Sequence, residues 1–225
     1  MPHPSLRSRL AAIALVGLAL AGTVSIAAPA PAFADNHPER KWMVKDSAHF
    51  AIHYYPGIEH TAMRILRDAE DAYPKIAADF GNPKFTDRIP IIMTQDSFFN
   101  GEAEPVKDRI LLDPLLANSS IVGTQRFVAH ELTHVINFRA MDTGNKMAEL
   151  SAIGGVPRWF LEGIAQYCAE YWYPGNDRML RLHTLEHKLM TDTERTNFPM
   201  LGLYAGAEGY DEGYSLVRYM FDTYG

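Results

Sequence analysis

Two histidines four residues apart, with a glutamate directly after the first, carry the strongest chemical signal in the chain. They stand in Val128-Ala129-His130-Glu131-Leu132-Thr133-His134-Val135-Ile136. Phe127, Val128, Leu132, Val135 and Ile136 supply an apolar stripe at helical spacing, so the segment reads as a helix. Four residues is slightly more than one turn, which projects His130 and His134 from the same face. Two imidazoles so placed can both reach one zinc ion at about 2.0–2.1 Å. Glu131 lies one step round the helix, too far off to ligate beside them, yet able to touch a water held by that metal. The competing reading of this motif alone is a helix with two polar-face histidines. With nine His in 225 residues, composition alone produces such a pattern roughly twice in a hundred chains.

A catalytic zinc site takes three protein ligands and keeps a fourth position open. The third donor is offered by Pro157-Arg158-Trp159-Phe160-Leu161-Glu162-Gly163-Ile164-Ala165-Gln166-Tyr167. Glu162 is a carboxylate in an otherwise apolar helix start, and a buried carboxylate without a partner is costly. A metal supplies that partner; a salt bridge or a helix N-terminus is the structural alternative. Attack of water on a carbonyl also needs a donor for the developing oxyanion. Tyr210-Asp211-Glu212-Gly213-Tyr214 provides one, with Tyr210 the first candidate and Tyr214 the fallback. In isolation, Tyr210 would more often be a packing or surface aromatic.

These residues need elements to hold them. Phe50, Ile52 and Tyr54 alternate with His49, Ala51, His53 and Tyr55, the pattern of a half-exposed strand with both histidines facing solvent. An amphipathic helix follows over 59–80, with Met63, Leu66, Ala69 and Ala77 inward, Pro74 inside and Gly81 closing it. Short apolar strands are expected at 89–93 and 109–113, with a turn at Asn100-Gly101 between them. The strand at 109–113, just before the metal helix, is the candidate sheet edge for β-augmentation by a peptide. The metal helix should end near Met141, before Gly144, and 147–155 reads as a loop or short helix. Further helices are expected at 158–171, stopped by Pro174-Gly175, at 178–190, and from Gly209 to a cap at Gly225.

Residues 1–34 read as a cleaved export signal: Arg7 and Arg9, an apolar stretch from Leu10 to Ala21, and Ala32-Phe33-Ala34 before Asp35. That places the mature domain, 35–225, in the periplasm or outside the cell, with no stable membrane insertion after cleavage. The net charge of −6 becomes −8 once the two arginines leave. No cationic surface for nucleic acid or anionic lipid is implied. Cys168 is the only cysteine, so there is no intrachain disulfide, and a buried inert thiol is expected.

His130-Glu131-Leu132-Thr133-His134 followed by Trp159-Phe160-Leu161-Glu162-Gly163-Ile164-Ala165 resembles the gluzincin metallopeptidases. The likeness is nearest to the peptidase-MA-like domains of exported bacterial proteins and extends to the aminopeptidase N group. In that group a Tyr-x-x-Gly segment supplies the transition-state tyrosine, and Tyr210-Asp211-Glu212-Gly213 resembles it. The resemblance covers about residues 45–225 in element order. It implies a zincin-like α+β fold: a small mixed sheet with an active-site helix, then a helical C-terminal part. It also implies Zn2+ on His130, His134 and Glu162, Glu131 as general base, Tyr210 as oxyanion donor, and a peptide or protein substrate. In similar exported proteins the domain often precedes a β-propeller, so a C-terminal propeller or a protein partner is a further expectation. Three features depart from the pattern. The 27 residues between His134 and Glu162 are more than aminopeptidases use. The Gly-x-Met-Glu-Asn motif is absent, with Asn100-Gly101-Glu102-Ala103-Glu104 in its region, so aminopeptidase specificity does not follow. Gln166 replaces the Asp of thermolysin-like enzymes, which alters the surroundings of the metal ligands.

One competitor lies within the chain. His183-Thr184-Leu185-Glu186-His187 has the inverted H-x-x-E-H spacing. Its leucines make a coherent amphipathic helix, and only Glu194, Glu208 and Glu212 remain downstream as ligands, so an ordinary surface helix is the better reading. An exported zinc peptidase is the function expected. A non-catalytic, peptidase-like interaction module with a structural or vestigial zinc is the alternative, and an esterase would differ only in substrate.

Overall fold

The computed structural model describes residues 39–94, 101–115, 121–170, 172–197 and 203–224. The expected export signal and the cap at Gly225 lie outside the described residues. Alternation in the sequence produces strand β2 (Phe50–Tyr54), with Phe50, Ile52 and Tyr54 buried. His53 is half-buried rather than solvent-facing; it is flanked by Val44 on β1 and Ile92 on the other neighbouring strand. A short strand β1 (Met43–Asp46) pairs antiparallel with β2, Met43 opposite Tyr54. It is exposed throughout and has no apolar alternation, so periodicity gave no sign of it.

Gly57, at a φ of 101°, turns the chain into helix α1 (Glu59–Asp79). Ala62, Ile65, Leu66, Ala69, Ile76 and Ala77 line its buried face at helical spacing. Met63 is only partly buried, at the margin of the core. The helix ends where Gly81 takes a φ of 76°, a left-handed conformation that suits glycine. Strand β3 (Ile89–Met93) returns parallel to β2, with Phe50 opposite Ile89. Strands β4 (Gly101–Glu104) and β5 (Arg109–Leu112) form an antiparallel pair, and β5 lies parallel to β3. The order is therefore β1-β2-β3-β5-β4, a five-stranded mixed sheet. Strand β5, raised by its place before the metal helix as a candidate edge, is internal; among the described residues β4 lies beyond it as the outer strand. Gly101, read as part of a turn, opens β4, and Asn100 lies outside the described residues.

Six helices follow in the described residues: α2 (Ile121–Ala140), α3 (Lys146–Gly155), α4 (Arg158–Cys168), α5 (Pro174–Leu185), α6 (Asp192–Asn197) and α7 (Leu203–Tyr224). The core forms where one face of the sheet (Phe50, Ile52, Ile91, Ile110, Leu112) meets Ile65 of α1 and Val128, Leu132 and Ile136 of α2. Helix α3 occupies much of the long gap after His134, started by the Asn145 side chain, which accepts from the N–H groups of Met147 and Ala148. Helix α4 stops earlier than expected, with Glu170 at a φ of 54°. Pro174-Gly175 starts α5 rather than stopping α4, since proline at a first helical position forfeits no intrahelical bond. α7 begins at Leu203, before the Gly209 expected as its start. The whole is a mixed α/β chain: a small mixed sheet with several helices, most of them after it, in keeping with the α+β class. Among the described residues no helix is long and apolar enough to cross a membrane.

Cys168 is half-buried at the end of α4. Burial first, with the charge of Asp79 added and Lys75 opposing, pushes its thiol up to about 12. That value fits the inert role expected of it.

Candidate metal centre

Helix α2 is buried along the segment that matters. Val128, Leu132, Val135 and Ile136 are fully enclosed by the sheet and α1. His130 and His134 face α4, which packs on α2 and carries Glu162. Nε2 of His130 lies 3.1 Å from Oε2 of Glu162, and Nε2 of His134 lies 3.1 Å from the same oxygen. The two nitrogens are 3.2 Å apart. Ligands set tetrahedrally around zinc at about 2.1 Å stand about 3.4 Å from one another, so the triangle has the size a small divalent cation requires. Three lone pairs aimed at one point are satisfied together by a cation. Without one, a single carboxylate oxygen must serve two ring nitrogens that also face each other. The buried group of His130, His134 and Glu162 could hold a metal ion, and no other such group occurs among the described residues.

The electrostatics agree with the geometry. Burial alone would raise the Glu162 carboxyl, yet attraction to His134 and hydrogen bonding with both histidines outweigh it and hold the group well below the usual carboxylate range. Nδ1 of His134 is buried without a hydrogen-bond partner. A metal-bound histidine usually donates that second ring N–H to an acceptor. Gln166, one turn beyond Glu162, is also buried.

Glu131 behaves differently from Glu162. It is buried at 6% exposure, and the backbone N–H of Ala103 on β4 donates to it. Burial above all, with the charges of Glu162 and Glu102 added and His130 opposing, pushes its carboxyl up to about 7. A divalent cation in the triangle would draw that value down. Strand β4 reaches this carboxylate through a glycine: a Cβ on Gly101 would stand 3.1 Å from Cγ of Glu131 and 2.5 Å from the Phe127 ring.

Tyr210, the first candidate by sequence, and Tyr214, the fallback, separate here. The Tyr210 ring centroid is 6.0 Å from that of His130, and its hydroxyl bonds to Glu162. Burial, then the charges of Glu162 and Glu131, raise that hydroxyl well above its ordinary range, so it stays a neutral donor. Tyr214 instead stacks on Trp172, with centroids 4.4 Å apart, and lies beside Tyr167.

Two glycines bring Tyr210 to Glu162. Helices α4 and α7 cross at Gly163 and Gly213. A Cβ on Gly163 would lie 2.4 Å from the Gly213 carbonyl oxygen, and one on Gly213 would lie 2.5 Å from the Trp159 carbonyl oxygen. Both obstacles are backbone, so neither can swing aside. Gly213→Ala is expected to lower the stability of the fold by about 1–3 kcal/mol, read as the urea unfolding midpoint; an unchanged midpoint would show that the helices separate freely.

The inverted motif does not assemble. Helix α5 ends at Leu185, and His187 sits in a turn at a φ of 55°, off the helix that carries His183. Nε2 of His183 lies 3.5 Å from Oε1 of Glu208. Glu212 is engaged elsewhere, accepting from the Met190 N–H at 2.9 Å and from Arg195 at 3.1 Å.

Sequence reading missed Gly163, Gly213 and the Ala103 N–H. The glycines left a signal, since glycine inside a helical pattern often marks a close approach; a backbone donor leaves none. Compared with known protein families, curated proteins and solved structures, the chain matches none.

Proposed function

We propose that this chain is an exported zinc-dependent peptidase of the zincin type, with its metal held by His130, His134 and Glu162. The observation that carries the reading is the convergence of three buried ligand atoms at 3.1–3.2 Å beside a separately held carboxylate, Glu131. When bound, zinc supplies Lewis-acid polarisation of a carbonyl and activation of water. Glu131 takes the proton of the attacking water and later delivers it to the leaving amine. Tyr210 donates a hydrogen bond to the oxygen on which charge develops. Among the described residues β4 is the outer strand of the sheet and runs beside Glu131, which gives an extended peptide a strand to align with. That edge favours a peptide over a compact ester as substrate.

The reading is tested by incubating the zinc-loaded protein with a mixed peptide pool and reading new termini by mass spectrometry. New termini that disappear after chelation and return with zinc are expected. Intact peptides, with metal bound, would leave a non-catalytic interaction module in its place.

A further inference from the structure

The two oxygens of Glu162 face different neighbours. Oε2 meets both histidine nitrogens, while Oε1 faces the guanidinium of Arg158, with Nη1 4.0 Å away. That separation allows an ion pair but is too long for a hydrogen bond. Arg158 is the first residue of α4, where a cation opposes the helix dipole, so helix stability does not account for it. Its side chain is 48% exposed, whereas Glu162 behind it is buried. Its charge also reaches the Tyr210 hydroxyl.

Three other arginines of the domain are spent on structure. Arg109 is bonded to Glu104, Arg139 to Asp142 at 2.6 Å, and Arg195 to Glu212 at 3.1 Å. No hydrogen bond from Arg158 is formed among the described residues. A planar fork of five donors therefore stands at the rim of the candidate site with its bonding capacity unused, and a carboxylate is the group that geometry matches best. The chain is acidic overall, which makes a lone guanidinium beside Glu162 and Tyr210 a local attraction for an anionic substrate group.

We propose that Arg158 is a specificity residue that holds a carboxylate of the substrate close to the bond being cleaved. This rests on the peptidase reading and names a substrate class for it: peptides with either a free C-terminal carboxylate or an Asp or Glu side chain near the scissile bond. The lysine equivalent would keep the charge and lose the paired hydrogen bonds.

The test uses a peptide library made in matched forms: free C-terminal acids against their amides, and internal Asp or Glu against Asn or Gln. Zinc-loaded wild-type protein is expected to cleave one acid series about tenfold faster than its neutral twin, judged by kcat/KM. The series that shows the preference identifies the source of the carboxylate. Arg158→Ala should remove the preference, and Arg158→Lys should keep only part of it. Binding gives an independent reading: the Glu131→Gln protein should bind the preferred acid more tightly than its twin by calorimetry, and the added Arg158→Ala change should equalise the two. Equal cleavage of acid and neutral twins by wild type, or a preference that survives Arg158→Ala, overturns this inference and leaves the peptidase reading standing. No cleavage of any member overturns the peptidase reading, and this inference with it.

Discussion

Glu131→Gln is expected to lower peptide hydrolysis by about 10³- to 10⁴-fold while zinc content stays at the wild-type value. Glutamine matches glutamate in size and can still accept from the Ala103 N–H, so the buried pocket is kept. It cannot take a proton from water. Stability should move the other way. In the metal-free protein burial holds this carboxyl up at about 7, above its unfolded value, so ionising it opposes folding. That opposition grows as pH rises from the unfolded value to about 7 and persists above. Metal-free Glu131→Gln should therefore resist urea better than metal-free wild type at pH 8. A substitution that stabilises the fold and abolishes turnover marks a group kept for chemistry rather than for packing. Unchanged hydrolysis would remove Glu131 from the mechanism.

Tyr210→Phe is the second large effect, a fall in kcat of about 10²- to 10³-fold. Phenylalanine fills the same space beside His130 and lacks only the hydroxyl, which in the resting site bonds to Glu162. A donor that acts on charge present only in the transition state lowers kcat and leaves KM nearly unchanged. Tyr214→Phe makes the comparison sharp. Its ring stacks on Trp172 and belongs to the packing between α4 and α7, so hydrolysis should stay within about twofold of wild type. If Tyr214→Phe lost activity and Tyr210→Phe kept it, the roles assigned by the geometry would be reversed.

The candidate ligands were readable in the sequence because a helix fixes two of them locally. His130 and His134 share a face by helical geometry alone, and Glu162 drew attention as a carboxylate among Trp159, Phe160 and Leu161. The alternation around Phe50 and the helical spacing from Ala62 to Ala77 likewise needed no distant information. What escaped depends on pairing between segments far apart. Sheet order puts β4, not β5, at the edge, and nothing in Gly101-Glu102-Ala103-Glu104 states which neighbour it lacks. The choice between Tyr210 and Tyr214 rests on how α7 is rotated against α4, which the contact of Gly163 with Gly213 decides. Pro174-Gly175 is ambiguous by nature, since proline ends one helix as readily as it begins the next.

The central claim, that His130, His134 and Glu162 together hold zinc, is tested most directly by the metal content of the protein expressed from Asp35. Wild type should carry about one zinc per chain after dialysis. His134→Ala and Glu162→Ala should lose most or all of it, and His183→Ala should keep it. Zinc retained in Glu162→Ala but lost in His183→Ala would place the metal at the inverted motif, and no zinc in any form despite supplementation would contradict the metal centre altogether.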